Sequence, residues 1–207
     1  MKISYAITVC NEFIEIQKLL PFLLENKRQK DEIVILYDIS KGHEGIEQFL
    51  RAKSINGEFI WVPGEFKGHF ANWKNKLTSF CSGDYIFQID ADEMPHKDFL
   101  SYLPEVISLN PDNDVFLVPR VNTVKGLTQE HITKWGWNVN DREWVNWPDY
   151  QWRIWKNKPE IKWKNKVHEV LEGFKKYAYL PDVEDFALYH PKNIKRQEKQ
   201  NSYYDTL

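Results

Sequence analysis

The chain has 207 residues, a formal net charge of −2, and 15% aromatic residues, including nine tryptophans. That length supports one domain of ordinary size with a real core, and the near-neutral charge lacks the basic field that nucleic-acid binding requires, so no nucleic-acid partner is expected. No apolar run approaches bilayer length and the N-terminus is too short for a signal h-region, so a soluble, cytoplasmic protein with at most peripheral membrane contact is expected.

Residues 3–9 (ISYAITV) alternate as a first strand. Residues 12–28 carry Phe13, Ile16, Leu20, Leu23 and Leu24 as a helical stripe, with Asn11 placed to cap it and Pro21 predicting a kink or fresh start. A second strand at 33–37 (IVILY) ends at Asp38 and Ser40, and a helix near 44–53 follows. A third strand at 58–62 runs to a turn at Pro63-Gly64, then a helix covers about 69–81. Cys10 and Cys81 have no metal-binding spacing and sit in core elements, which suits reduced thiols.

Residues 84–95 (DYIFQIDADEMP) are the stretch the chain is organised around. A short apolar run ends in Asp90, Asp92 and Glu93, and Pro95 then bars regular pairing. This is a buried strand delivering acids to its C-terminal tip, where open α/β sheets hold ligands. Acids this close repel unless a cation or donors compensate. Hard oxygen ligands on a tight turn suit Mg²⁺ or Mn²⁺, which bridge carboxylates to substrate phosphates. A helix at 97–109 and a strand at 114–119 continue the alternation, which predicts an α/β protein with a mostly parallel, doubly wound sheet flanked by helices. No G-x-G-x-x-G or Walker loop is present, and three strand tips carry polar groups instead: Thr8/Asn11/Glu12, Asp38/Ser40 and Asp90/Asp92/Glu93.

Seven tryptophans fall between 135 and 163, interleaved with Asn138, Asp141, Arg142, Asp149 and Arg153. Aromatic faces beside polar groups suit sugar rings, and equally suit a small satellite core. Residues 167–173 read as a strand bearing adjacent His168 and Glu169, whose side chains reach one cleft only if the chain bends there. From Pro191 a terminal helix is expected, packed by Ile194, Tyr203 and Tyr204.

In order and spacing, Ala6–Glu12, Tyr37–Ser40, Ala71–Asn75, Gly83–Glu93, Arg153–Lys156 and Val167–Glu169 resemble family 2 glycosyltransferases of the GT-A fold. The branch resembled includes lipopolysaccharide-core glucosyltransferases. The resemblance implies that residues 1–120 bind a nucleotide-sugar, and that 121–207 form a small Trp-rich acceptor side with the catalytic base. It implies that Thr8, Asn11 and Glu12 line the nucleotide, that Asp38 contacts base or ribose, and that Lys74 lies near the diphosphate. Tyr37 stands where the family usually has the first of two adjacent acids. Asp90 and Asp92, flanking Ala91 at the donor, would bind Mn²⁺ or Mg²⁺, and His190 sits where a late histidine sometimes completes the metal site. The general base is expected to be Glu169, with His168 and Asp149 as competitors.

The expected activity is transfer of a sugar, with inversion, from a nucleotide-diphosphate donor such as a UDP-sugar to a hydroxyl of a glycan, lipid-linked or other acceptor. Two rivals are a sugar-binding relative without catalysis and a nucleotidyltransferase. The second would need a glycine-rich basic loop after the first strand, where this chain is acidic.

Overall fold

A computed structural model describes residues 1–204, with backbone alone for Tyr203 and Tyr204. The strands are β1 (Ile3–Val9), β2 (Glu32–Asp38), β3 (Ile60–Gly64), β4 (Tyr85–Asp90), β5 (Met94–Pro95), β6 (Val115–Val118), β7 (Arg120–Lys125), β8 (Gln151–Lys156), β9 (Lys162–Lys164), β10 (Val170–Glu172), β11 (Tyr177–Tyr179) and β12 (Leu188–Asn193). The helices are α1 (Phe13–Asn26), α2 (Glu44–Lys53), α3 (Phe70–Thr78), α4 (Phe99–Leu109), α5 (Gln129–Trp135) and α6 (Ile194–Tyr204).

Among the described residues the main sheet has seven strands in the order β11-β6-β8-β4-β1-β2-β3. β3, β2, β1 and β4 run parallel, β8 lies antiparallel between β4 and β6, and β11 is parallel to β6. β1 and β4 are buried on both faces because helices cover the sheet on each side. The chain builds β2 and β3 to one side of β1, then returns through α3 to place β4 on the other. That reversal opens a crevice at the C-terminal ends of β1 and β4, where Thr8 and Asp90 stand side by side. A second sheet, β5-β12-β7, brings two more strands to this crevice.

Several local expectations change. The helix cap is Glu12 rather than Asn11, and its carboxylate accepts from the amides of Cys10 (2.8 Å) and Asn11 (3.1 Å). α1 runs unbroken through Pro21, held by Ile16, Leu19, Leu20 and Leu23 buried on either side of it. Pro63 and Gly64 continue β3 instead of turning, because β3 is an edge strand and its outer side needs no N–H. Pro95 does not end pairing: with Met94 it forms β5 against β12.

The predicted strand over 167–173 shrinks to β10, and the residues before it form a turn with Asn165 and His168 at φ 74° and 51°. This turn supplies the bend that the His168–Glu169 pair required. α6 starts at Ile194, since Pro191–Asn193 belong to β12. Ile194 is half-buried; the packing expected of the Tyr203 and Tyr204 side chains lies outside the described residues.

The tryptophans divide among separate places. Trp155 and Trp163 meet edge-to-face, 5.6 Å between centroids, in the core beneath α3. Trp144 and Trp147 pack with Val121 and Ala187 in a satellite cluster. Trp135 and Trp137 contact each other near the surface.

Candidate active site

The acids at the tip of β4 are sorted by what opposes them. Glu93 is 1% exposed and turns inward. Its Oε2 accepts from the Asp90 amide (3.1 Å), and its Oε1 accepts from Arg153 (2.6 Å) and Arg120 (3.1 Å). The same Arg153 nitrogen donates to Asp90 Oδ2 at 2.6 Å. Burial works against ionisation of Asp90, but Arg153, Lys74 and Arg120 outweigh it and hold the carboxyl well below the usual range. Among the described residues its other oxygen, Oδ1, has only the Thr8 hydroxyl, at 3.4 Å.

Asp92 points the other way. Its Oδ2 lies 3.2 Å from His190 Nε2 and 3.2 Å from an Arg196 nitrogen. Burial again opposes ionisation, yet the contact with His190 prevails and brings Asp92 down to about 2.

The orientation of His190 follows from its neighbours. Asp149 Oδ2 accepts from Arg120 (2.6 and 2.9 Å) and from Asn122 Nδ2 (2.7 Å). A carboxylate can only accept here, so the Asn122 amide faces it with nitrogen and turns its Oδ1 to His190 Nδ1, 2.7 Å away. That oxygen cannot donate, so Nδ1 carries a proton. Nε2 is left facing Asp92, and a cation must lie between them: a proton or a metal ion. Two ligands of one octahedral Mg²⁺ or Mn²⁺ sit about 3 Å apart, so the 3.2 Å separation fits. The carboxylate suits either ion, and the imidazole, fixed by its hydrogen-bonded partner, favours Mn²⁺ over the harder Mg²⁺.

Lys74, 8% exposed, pairs with Glu169 at 2.5 Å and lies 4.3 Å over the Trp163 ring. His168 is exposed on the turn beside them. Asp38 is 3% exposed; its Oδ1 accepts from the Ser40 amide and hydroxyl and the Phe66 amide, fixing the loop after β2. These bonds overcome burial and lower its pKa. Burial, then Asp38, pushes the neighbouring Cys10 thiol up to about 12. Glu12 is raised by burial, and Arg196 reaches it at 3.4 Å and Glu15 at 2.8 Å. Asn11 is exposed at the lip, and Ala91 is buried under the turn.

The crevice therefore gathers Thr8, Glu12, Asp90, Asp92 and His190, with Asp149 joined through Asn122 and Glu169 on the Lys74 side. Sequence reasoning missed Arg120, Asn122, Lys192 and Arg196. The signal was alternation: Arg120 and Asn122 share one face of β7, and His190 and Lys192 one face of β12.

The family description Glycosyl transferase family 2 matches residues 4–177. No curated protein matches the chain by sequence. The structure of Staphylococcus aureus TarS 1–349 in complex with UDP is similar at a TM-score of 0.65 and 16% identity, over 92% of this chain and 60% of that one. TarS 1–349 in complex with UDP-GlcNAc matches at 0.63 and 15% identity, over 93% and 59%. GalNAc-T7 with UDP, GalNAc and Mn²⁺ matches at 0.50 and 18% identity, over 59% and 24%. The chain thus spans about 60% of the TarS structure's length. These likenesses show the fold, which is GT-A-like with a central, mostly parallel sheet flanked by helices.

Proposed function

Because the chain belongs to glycosyl transferase family 2, we propose that it moves a sugar from a nucleoside diphosphate donor, a UDP-sugar, to an acceptor hydroxyl. The observation that carries this reading is the His190–Asp92 pair at the sheet's switch point, whose 3.2 Å spacing a metal ion can bridge in place of a proton. UDP and UDP-GlcNAc in the TarS structures, and UDP with Mn²⁺ in GalNAc-T7, support the same choice of donor and metal.

Thr8, Asn11, Glu12 and Asp38 would line the nucleotide. Mn²⁺ or Mg²⁺ held by Asp92 and His190 would offset the charge growing on the departing diphosphate as a Lewis acid. Lys74 adds a fixed positive charge. Glu169 pairs with that lysine and so belongs to the leaving-group side. Direct displacement needs a base on the opposite face of the sugar, so Asp149 takes the acceptor's proton and the anomeric centre inverts. Among the described residues Asp149 Oδ1 accepts one side-chain bond, from Gln151 at 2.8 Å, and keeps a lone pair for this step. The acceptor is a glycan, lipid-linked or other polyhydroxy molecule. We place the enzyme in the cytoplasm, where the unpaired Cys10 and Cys81 stay reduced. No helix among the described residues is long and apolar enough to cross a membrane.

Calorimetry with UDP tests the reading. UDP is expected to bind with Mn²⁺ and not with chelator, and Asp92→Ala to weaken the metal-dependent binding by about 100-fold or more, the upper range for disturbing a metal site. Equal UDP binding with and without metal, unchanged in that variant, refutes the metal assignment. Glycan binding with neither UDP nor metal would identify a sugar-binding relative instead.

A further inference from the structure

Lys192 is two residues past His190 on β12, so both side chains leave the strand on one face. They enter a cavity of about 220 Å³ shared with Arg120, Asn122, Trp137 and Asp149. The two cations of its wall differ. Arg120 is spent on Asp149 and Glu93. Among the described residues, Lys192 Nζ donates to Gln200 Oε1 at 2.5 Å and forms no ion pair. Asn122, Asn146 and Gln197 line the remaining wall with amides, which suit hydroxyl groups.

We propose that this cavity is the acceptor site, and that Lys192 seats a phosphate ester on a polyol or sugar whose hydroxyl faces Asp149. The inference rests on the transferase reading. The donor's diphosphate is the other source of a phosphate; His190 borders the cavity from that side, but no residue of β1, β2 or β4 lines it. The phosphate ester stays intact: its charge meets the ammonium, and the proton leaves the neighbouring hydroxyl for Asp149 as the new glycosidic bond forms.

Calorimetric titration of glycerol 3-phosphate, with glycerol as the uncharged control, into protein loaded with Mn²⁺ and UDP provides the test. The phosphate ester is expected to bind at least tenfold more tightly than glycerol. Lys192→Gln should lose that difference, Lys192→Arg should restore most of it, and both should bind UDP within twofold of the parent protein. Glycerol 3-phosphate binding that fails in the parent protein, or persists in Lys192→Gln, overturns the assignment. A parallel loss of UDP affinity gives Lys192 to the donor and overturns it as well. If UDP itself fails to bind the parent protein with Mn²⁺, the transferase reading falls first, and the acceptor site with it.

Discussion

Asn122 decides the state of His190 without touching the candidate metal position. Its nitrogen is committed to Asp149 and its oxygen to Nδ1, which fixes the ring's protonated atom and aim. Asn122→Leu keeps the size and removes both bonds. Mn²⁺ affinity, followed by electron paramagnetic resonance, should fall about 10- to 100-fold, the usual cost of losing a partner that orients a ligand; undiminished affinity would show that His190 is no ligand. Arg153 is a different case. It is 3% exposed and opposes Asp90 and Glu93 together, so Arg153→Met takes the ion pair from half-buried Asp90 and leaves buried Glu93 to Arg120 alone. Denaturant unfolding should report a loss of about 3–5 kcal/mol. The position of Asp90 and Asp92 at and just past the tip of β4 was legible in the sequence, because an apolar run ending in acids marks the end of a buried strand. Asn122 and Arg120 were not, because a polar residue in a strand takes its role from the strand it pairs with, here β12, more than 60 residues away.

At the scale of elements, the alternation of strand and helix through β6 was readable because each element carries its own apolar period. β8 was marked by resemblance alone as an arginine-bearing strand; its antiparallel insertion between β4 and β6 depends on long-range pairing. The turn and hairpin of β9 and β10 hold Glu169 against Lys74 and depend on one glycine. Gly173 has φ 87°, and a Cβ there would come within 1.9 Å of the Glu160 carbonyl oxygen. Gly173→Ala therefore combines left-handed strain with a backbone clash. A loss of more than about 1–2 kcal/mol in urea unfolding is expected, the strain being only the smaller part. A change within 0.5 kcal/mol, about the size of a neutral surface substitution, would mean that the hairpin relaxes freely.

The whole molecule separates stability from chemistry along its strands. The candidate site occupies the C-terminal ends of β1, β2 and β4, while Glu32, at the start of β2, ties the opposite end together. Its carboxylate accepts from Lys2, Ser4 and Ser82. Burial opposes ionisation, but these bonds win and bring the pKa from the ordinary 4.5 down to about 2. A depressed native pKa means that the unfolded chain binds the proton more readily, so stability rises with pH. Glu32's contribution is full above about pH 4.5 and is lost as the pH falls toward 2. Chemical denaturation across that window should show a flatter slope for Glu32→Gln than for the parent protein; identical slopes would contradict the assignment. The charge balance of the chain hints at none of this, because the pairs are made across distant segments.

The proposed transfer requires a divalent cation between Asp92 and His190 beneath a nucleoside diphosphate. Crystals grown with Mn²⁺ and UDP, measured for anomalous scattering at the manganese edge, test it most directly. A single peak within about 2.2 Å of Asp92 and of His190 Nε2, touching the UDP phosphates, is the predicted result. A peak elsewhere, or ordered UDP without one, would contradict it.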